Sequence, residues 1–155
     1  MLLPHPGYRA VSLYFRNGQY LVQPLFELPT GLSVAGEPVR VLGADASASD
    51  LGEAVQQSLG FAKAVASRPT YGANGSKPDP LLAAAQAKSW SAFMKSARAC
   101  TLAQTGATLR ATPSKRAATG GGLEFLADLQ VTLVLPATPV QVGEAALETL
   151  ARCQP

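Results

Sequence analysis

Hydrophobic and polar positions in the first 60 residues alternate, shift to a longer period, and so predict strands followed by a helix. Ala10-Val11-Ser12-Leu13-Tyr14-Phe15 reads as a strand. Asn17-Gly18 follows and predicts a hairpin, because type I′ turns need positive φ at both central residues. Gln19 to Phe26 returns as the partner strand, with Pro24 marking an edge or bulge, since proline cannot donate to a ladder. Leu28-Pro29-Thr30-Gly31 turns the chain again. Short strands are then expected over Leu32 to Ala35 and Val39 to Leu42. Ser47 with Asp50 three residues on has the form of a capping box. Leu51, Val55, Leu59 and Ala62 then recur at helical spacing and make one apolar stripe.

Residues 68–80 are rich in Gly, Pro, Asn and Ser and predict a loop. From Leu81 the pattern is helical to Ala97, with Trp90, Phe93, Met94 and Ala97 on one buried face. A second strand series is expected: Cys100 to Ala103, a Thr105-Gly106 turn, then Ala107 to Ala111. A loop from Pro113 to Gly122 leads to strands over Leu123 to Leu126 and Val131 to Leu135. Thr138, Pro139 and Gln141 open the last helix as N-cap, first residue and capping-box partner. Its stripe is Val142, Ala146, Leu150 and Cys153. Leu51-Gly52-Glu53-Ala54 matches Val142-Gly143-Glu144-Ala145. The expected fold is therefore α+β: duplicated antiparallel β-meander plus helix units within one domain, 1–155. The repeats cover about 9–66 and 98–153 and are linked by the loop 67–80 and the helix 81–97. Each shared glycine lies in the first turn of its helix, where lack of a Cβ is expected to let helix and sheet approach closely.

At 155 residues, 47% of them apolar, the chain can bury a core without metal or disulfide staples. With 15% charged residues and a net charge of +3 it is not a charge-driven disordered chain. Strong sequence-independent nucleic-acid binding calls for a denser basic patch. Met1 to Gly7 lacks the basic and apolar regions of a signal peptide, and no run approaches the ~20 apolar residues of a membrane span. A cytoplasmic, non-membrane protein is expected. Catalytic chemistry is sparse. The single histidine, His5, sits between prolines in the N-terminal tail, and His5, Cys100 and Cys153 lack zinc-ligand spacing. Cys100 and Cys153 are expected as buried free thiols, with an oxidised pair or a reactive thiol as the alternatives. Gly72 to Lys77 fails the phosphate-loop pattern because Ser76 stands where glycine must precede the lysine. Gly120-Gly121-Gly122 reads as a turn. Carboxylates are dispersed, and Lys88, Lys95 and Arg98 are expected to share a solvated helix face. No enzymatic activity, cofactor or metal is expected.

A resemblance completes the reading. Lys95, Cys100, a strand pair running into Thr112-Pro113, a glycine-bearing loop and Val131-Thr132-Leu133 precede Val142-Gly143-Glu144-Ala145-Ala146-Leu147 and Leu150-Ala151-Arg152-Cys153. This order is similar to the CdiI immunity proteins of bacterial contact-dependent growth inhibition systems. Tyr14-Phe15-Arg16, Val39-Arg40-Val41 and Ala48-Ser49-Asp50-Leu51-Gly52-Glu53-Ala54-Val55 extend the likeness over residues 8–153, mostly through framework positions. The resemblance implies a Whirly-like fold of two antiparallel sheets packed with helices. It also implies an antitoxin that neutralises the C-terminal toxin domain of a CdiA-type effector, expected to be a nuclease, by stoichiometric protein–protein interaction. Immunity proteins against cationic nucleases are often acidic, whereas this chain is slightly basic; either the toxin is not strongly basic, or a local acidic patch drawing on Glu27, Glu37, Asp45, Asp79 and Glu124 does the work. With core positions set aside, the expected toxin-binding residues are Tyr71, Lys77 and Asp79 in the central loop, with Arg110, Lys115, Arg116 and Glu124 around the second. A free sheet edge offering strand addition is a further contact surface. The alternative is a Whirly-like single-stranded nucleic-acid binder, which needs exposed aromatics for base stacking. Only 6% of residues are aromatic, and Trp90 and Phe93 are assigned to the core, so direct nucleic-acid contact is not expected.

Overall fold

A computed structural model describes residues 8–69, 78–117 and 122–154. The first alternating stretch forms β1 (Arg9–Arg16) and β2 (Gln19–Glu27). Asn17 and Gly18 between them take φ of 51° and 76°, as the hairpin turn demands. Then come β3 (Ser33–Ala35), β4 (Arg40–Gly43), α1 (Ala48–Phe61) and β5 (Lys63–Ala64). Two short helices, α2 (Pro80–Ala85) and α3 (Trp90–Ser96), lead to β6 (Ala97–Thr105) and β7 (Thr108–Arg116). The chain continues through β8 (Leu123–Phe125), a 3₁₀ turn at Ala127–Leu129, β9 (Val131–Val134) and α4 (Pro139–Ala151). Both expected capping boxes are present: Ser47 with Asp50 opens α1, and Thr138 with Gln141 opens α4.

The strands form one curled nine-stranded sheet in the order β3-β2-β1-β6-β7-β8, with β4 and β5 also on β2 and β9 also on β7. This corrects the expectation of two sheets. β1 and β6 pair along their length, from Arg9 opposite Gln104 to Arg16 opposite Ala97, and so join the halves into a continuous ladder. Every strand pair is antiparallel except β2 with β5. Pairing recurs across the β1–β6 junction: β2 carries β3 and β4 as β7 carries β8 and β9.

Strand alternation sorts side chains between two layers. Val11, Leu13, Val22, Leu102, Leu109 and Ala111 face α1 and α4 and pack on Leu51, Val55, Val142, Ala146 and Leu150. Tyr14, Leu21 and Ala99 face the other way, against Leu81 and Ala85 of α2 and Phe93 and Met94 of α3. The reused glycines do not bring helix to sheet, as the sequence led us to expect; they bring helix to helix. A Cβ on Gly52 would lie 1.7 Å from the Pro139 carbonyl oxygen, and one on Gly143 would lie 1.7 Å from that of Ala48. Each glycine therefore accepts the first turn of the other helix against its bare backbone.

The long helix expected over 81–97 is broken. Gln86 takes the left-handed conformation at φ 55° and ends α2, while Ala97 already belongs to β6. Lys88, Lys95 and Arg98 consequently do not share a helix face: they lie in the link, in α3 and in β6. Trp90 is not a core residue, being 46% exposed at the start of α3. Its ring stacks on Phe93 at 5.5 Å and meets the edge of Tyr14 at 6.4 Å. Strand β7 also runs beyond Ala111, through Pro113 to Arg116, into what the sequence assigned to a loop. The reason is a change of partner: Ala111 still pairs with β6 and β9, whereas Ser114–Arg116 pair with β8.

Candidate functional site

Two prolines shape the sheet. Pro24 is the last residue of β2 paired with β1, opposite Val11, and Pro113 is the last of β7 paired with β6, opposite Cys100. Each proline's carbonyl faces its other neighbour, Pro24 O accepting from the Gly36 N–H at 2.9 Å and Pro113 O from the Leu126 N–H at 2.8 Å, so the missing N–H falls on that side, at the break between β3 and β4 or between β8 and β9. On the opposite side the β1–β2 and β6–β7 ladders end at the proline, and a slot opens between the two strands. Pro24 marks an irregularity, as expected, since Gln23 and Pro24 stand opposite the four residues 36–39 between the β3 and β4 pairings; on its other side it marks the mouth of a split.

In the first half the slot is filled. β5 lies beside the end of β2, with Lys63 and Ala64 paired in parallel to Phe26 and Glu27. The Val65 N–H extends the ladder to the Glu27 carbonyl at 2.9 Å. Phe26 is buried, its ring held beneath Gly36, where a Cβ would sit 2.5 Å from the ring. The Lys63 ammonium lies 5.2 Å over the same ring. A cavity of about 30 Å³ lies beside Ala10, Leu25 and Ala62.

In the second half the equivalent slot is an open cleft of about 380 Å³ between Ala97–Ala99 of β6 and Ser114–Arg116 of β7. Its inner end is closed by two contacts on one carbonyl: the Ser114 hydroxyl donates to Ala99 O at 2.5 Å, and the Cys153 thiol approaches the same oxygen at 3.2 Å. The Gln154 N–H donates to the Ser114 carbonyl at 3.0 Å. Beyond that bond, no described strand pairs with the cleft-facing edge of Lys115 and Arg116. The cleft-facing edge of β6 has no partner among the described strands over Ala97–Ala99, since the β6–β7 ladder begins at Cys100, but the Ala99 carbonyl there is already taken by Ser114 and Cys153.

The cleft walls are cationic, carrying Lys95, Arg98, Lys115 and Arg116. Arg116 donates to the Met94 carbonyl near the C-terminal end of α3. Lys115 reaches Glu124 across β8 at 3.8 Å, an exposed pair of small energetic weight. The Arg98 guanidinium lies 5.6 Å over the Phe15 ring. The Lys95 side chain has no partner among the described residues.

The expected toxin-binding residues therefore divide. Lys115, Arg116 and Glu124 come together at the cleft. Arg110 is exposed further along β7, in the stretch paired with β6 and β9, and does not line the cleft. Asp79 caps α2, accepting from the Leu81 and Leu82 N–H groups at 2.9 and 3.0 Å. Tyr71 and Lys77 lie outside the described residues, as does His5. Lys95 and Arg98, read as a solvated helix face, belong to the cleft instead. The acidic patch does not assemble as drawn either. Glu27 is buried in the first slot, and Asp45 lies near Asp50 and Glu53 beside Arg40, away from Glu124. Cys100 is a buried free thiol, and burial pushes its ionisation well above the ordinary value, while Cys153 is half-buried. Among the described residues no group of three or more His, Cys, Asp or Glu side chains is placed to hold a metal, and no helix is long and apolar enough to cross a membrane.

A single curled antiparallel sheet, crossed by two helices that touch at paired glycines, defines the class of fold. The same fold occurs in a protein of unknown function from Neisseria meningitidis, with a TM-score of 0.76 at 16% identity over 99% of this chain and 100% of that one. It occurs again in a chain of the CdiA-CT/CdiI toxin and immunity complex from Yersinia pseudotuberculosis, with a TM-score of 0.70 at 16% identity over 95% of this chain and 98% of that one. No family model matches the sequence, and a search of curated proteins gives no match.

Proposed function

We propose that the chain is an immunity protein: it binds the C-terminal toxin domain of a CdiA-type effector and neutralises it stoichiometrically, without turnover. The observation that carries this reading is the shared fold, end to end, with a chain of a toxin and immunity complex. In this reading the halves are two copies of a Whirly-type β-meander-plus-helix unit in one domain, and the protein works in the cytoplasm against a nuclease. The open cleft is the docking surface. Its unpaired backbone groups accept a strand from the partner, and hydrogen bonds to main chain supply affinity while side chains around them supply selectivity. Nanomolar binding, about −12 kcal/mol, needs roughly 1,600 Å² of buried surface, so the cleft is the centre of the contact and neighbouring loops make its rim.

The test is co-expression with the C-terminal domain of the large secreted effector encoded beside the gene. A stable one-to-one complex and survival of cells making that domain are expected. Purification as separate species, with no rescue of growth, would remove the immunity reading.

A further inference from the structure

The filled slot of the first half shows what the open one lacks, and comparison of their walls identifies the charge of the missing element. β5 brings a basic residue, Lys63, into a slot whose β2 wall carries the buried Glu27. In the second half the third residue after the proline is not Glu but Arg116, and the second is not Phe26 but Lys115. Lys95 and Arg98 add to the same side. The residue beside this wall in the chain's own continuation, Gln154, is uncharged. Four cations thus surround a strand-width gap with one carboxylate, Glu124, paired to Lys115.

We infer that the occupant of the cleft is an extended peptide segment carrying acidic side chains, lying along Ser114–Arg116 as β5 lies along Phe26–Glu27. This rests on the docking reading above and adds the chemistry of the partner. Two features argue for a strand and not for a small anion. With Ala99 O and Ser114 O already bonded, the groups left without a described strand partner are backbone ones at Ala97 on one wall and at Arg116 on the other, which a strand satisfies together and a phosphate does not. The cations are also spread over three elements, α3, β6 and β7, and not gathered on one. Opposite charges held in a partly dry groove attract several-fold more strongly than in open water. The arrangement therefore selects against neutral or basic strands that would satisfy the backbone equally well.

The test uses the full chain and a displayed library of random seven-residue peptides, followed by hydrogen exchange with the selected sequences as synthetic peptides. Selected peptides are expected to be enriched in Asp and Glu and to slow exchange at Ser114–Arg116. Their binding is expected to fall at least tenfold when Lys95→Glu and Arg98→Glu are combined, and to recover with Lys95→Arg and Arg98→Lys. A circular-dichroism melt like that of the parent separates loss of binding from loss of fold. Selected peptides without acidic enrichment, an affinity indifferent to charge reversal, or no selected peptide protecting these residues would overturn the inference. So would displacement of the peptides by a fifteen-residue oligo-dT that protects the same residues more strongly, which would make the cleft a nucleic-acid groove. None of these results bears on whether the chain rescues cells from the toxin, so this inference and the immunity reading fail separately.

Discussion

The two slots begin at the same place, a proline that is the last paired residue of its ladder, and end differently. In the first half the chain folds β5 into its own gap and buries Phe26 beneath it. In the second half the place of Phe26 is taken by Lys115, and the gap stays open and cationic. One copy of the arrangement has been spent on stability and the other left available. An edge with free N–H and C=O groups is normally a hazard that proteins cover or charge. Here it is ringed by lysine and arginine, which discourages pairing between copies of the chain.

The sharpest break would come from the two equivalent positions. Phe26→Ala removes a buried ring and leaves a cavity, and is expected to cost about 3–5 kcal/mol in urea denaturation. Lys115→Ala, at the same place in the other half, is expected to change stability by less than about 0.5 kcal/mol. Equal losses at the two positions would mean that the second slot is as structural as the first.

The paired glycines test the opposite aspect, what the halves share. Gly52→Ala and Gly143→Ala each drive a methyl group into a carbonyl of the facing helix, and each is expected to lose about 2–3 kcal/mol. Gly60→Ala, where a Cβ would meet nothing within 4 Å, is expected to gain up to about 1 kcal/mol through helix propensity. Markedly unequal losses at Gly52 and Gly143 would break the equivalence of the two helices.

Cys100 sharpens the comparison through pH. It occupies the place that Val11 holds in the first half, each opposite its proline. Burial raises its folded-state ionisation, so the unfolded chain loses the thiol proton first, from its ordinary value of 9.0 upward. Stability from this source is therefore full below pH 9 and declines above it, by at most about 1.4 kcal/mol per pH unit. Tyr14, also raised by burial from 10.0, adds to the decline at higher pH. Cys100→Val is expected to flatten the slope between pH 9 and 10, as followed by thermal melts. The smallest effect is chemical: iodoacetamide at pH 8 is expected to label Cys153, at the cleft, and to leave Cys100 untouched until the protein unfolds, as mass spectrometry of the native protein would show.

The scaffold was legible in the sequence because it rests on local rules. The Asn17-Gly18 turn, the two capping boxes and the apolar stripes of α1 and α4 each depend on residues within a turn or two of one another. Tertiary choices were not legible in that way. Nothing local says that β1 and β6 pair, and that pairing turned two expected sheets into one. The Gly52 and Gly143 motif announced a close approach without saying to what. Pro113 misled most: a proline in a polar stretch reads as loop, yet here it ends one ladder while the strand continues into another. That misreading assigns one wall of the cleft to a loop and the other to a solvated helix face, so the sequence offers Lys115, Arg116 and Glu124 without joining them to Lys95 and Arg98. The recurrence of proline at the end of each apolar alternation, Pro24 and Pro113, was the signal that could have joined them.

Hydrogen exchange on the full chain, alone and with the C-terminal domain of the effector proposed as its partner, tests the account most directly. Strong slowing at Ala97–Ala99 and Ser114–Arg116, with Phe26, Glu27 and β5 already slow and unchanged, is the predicted result. Protection centred on the first half, or a bound toxin domain that leaves residues 114–116 exchanging as before, would contradict it.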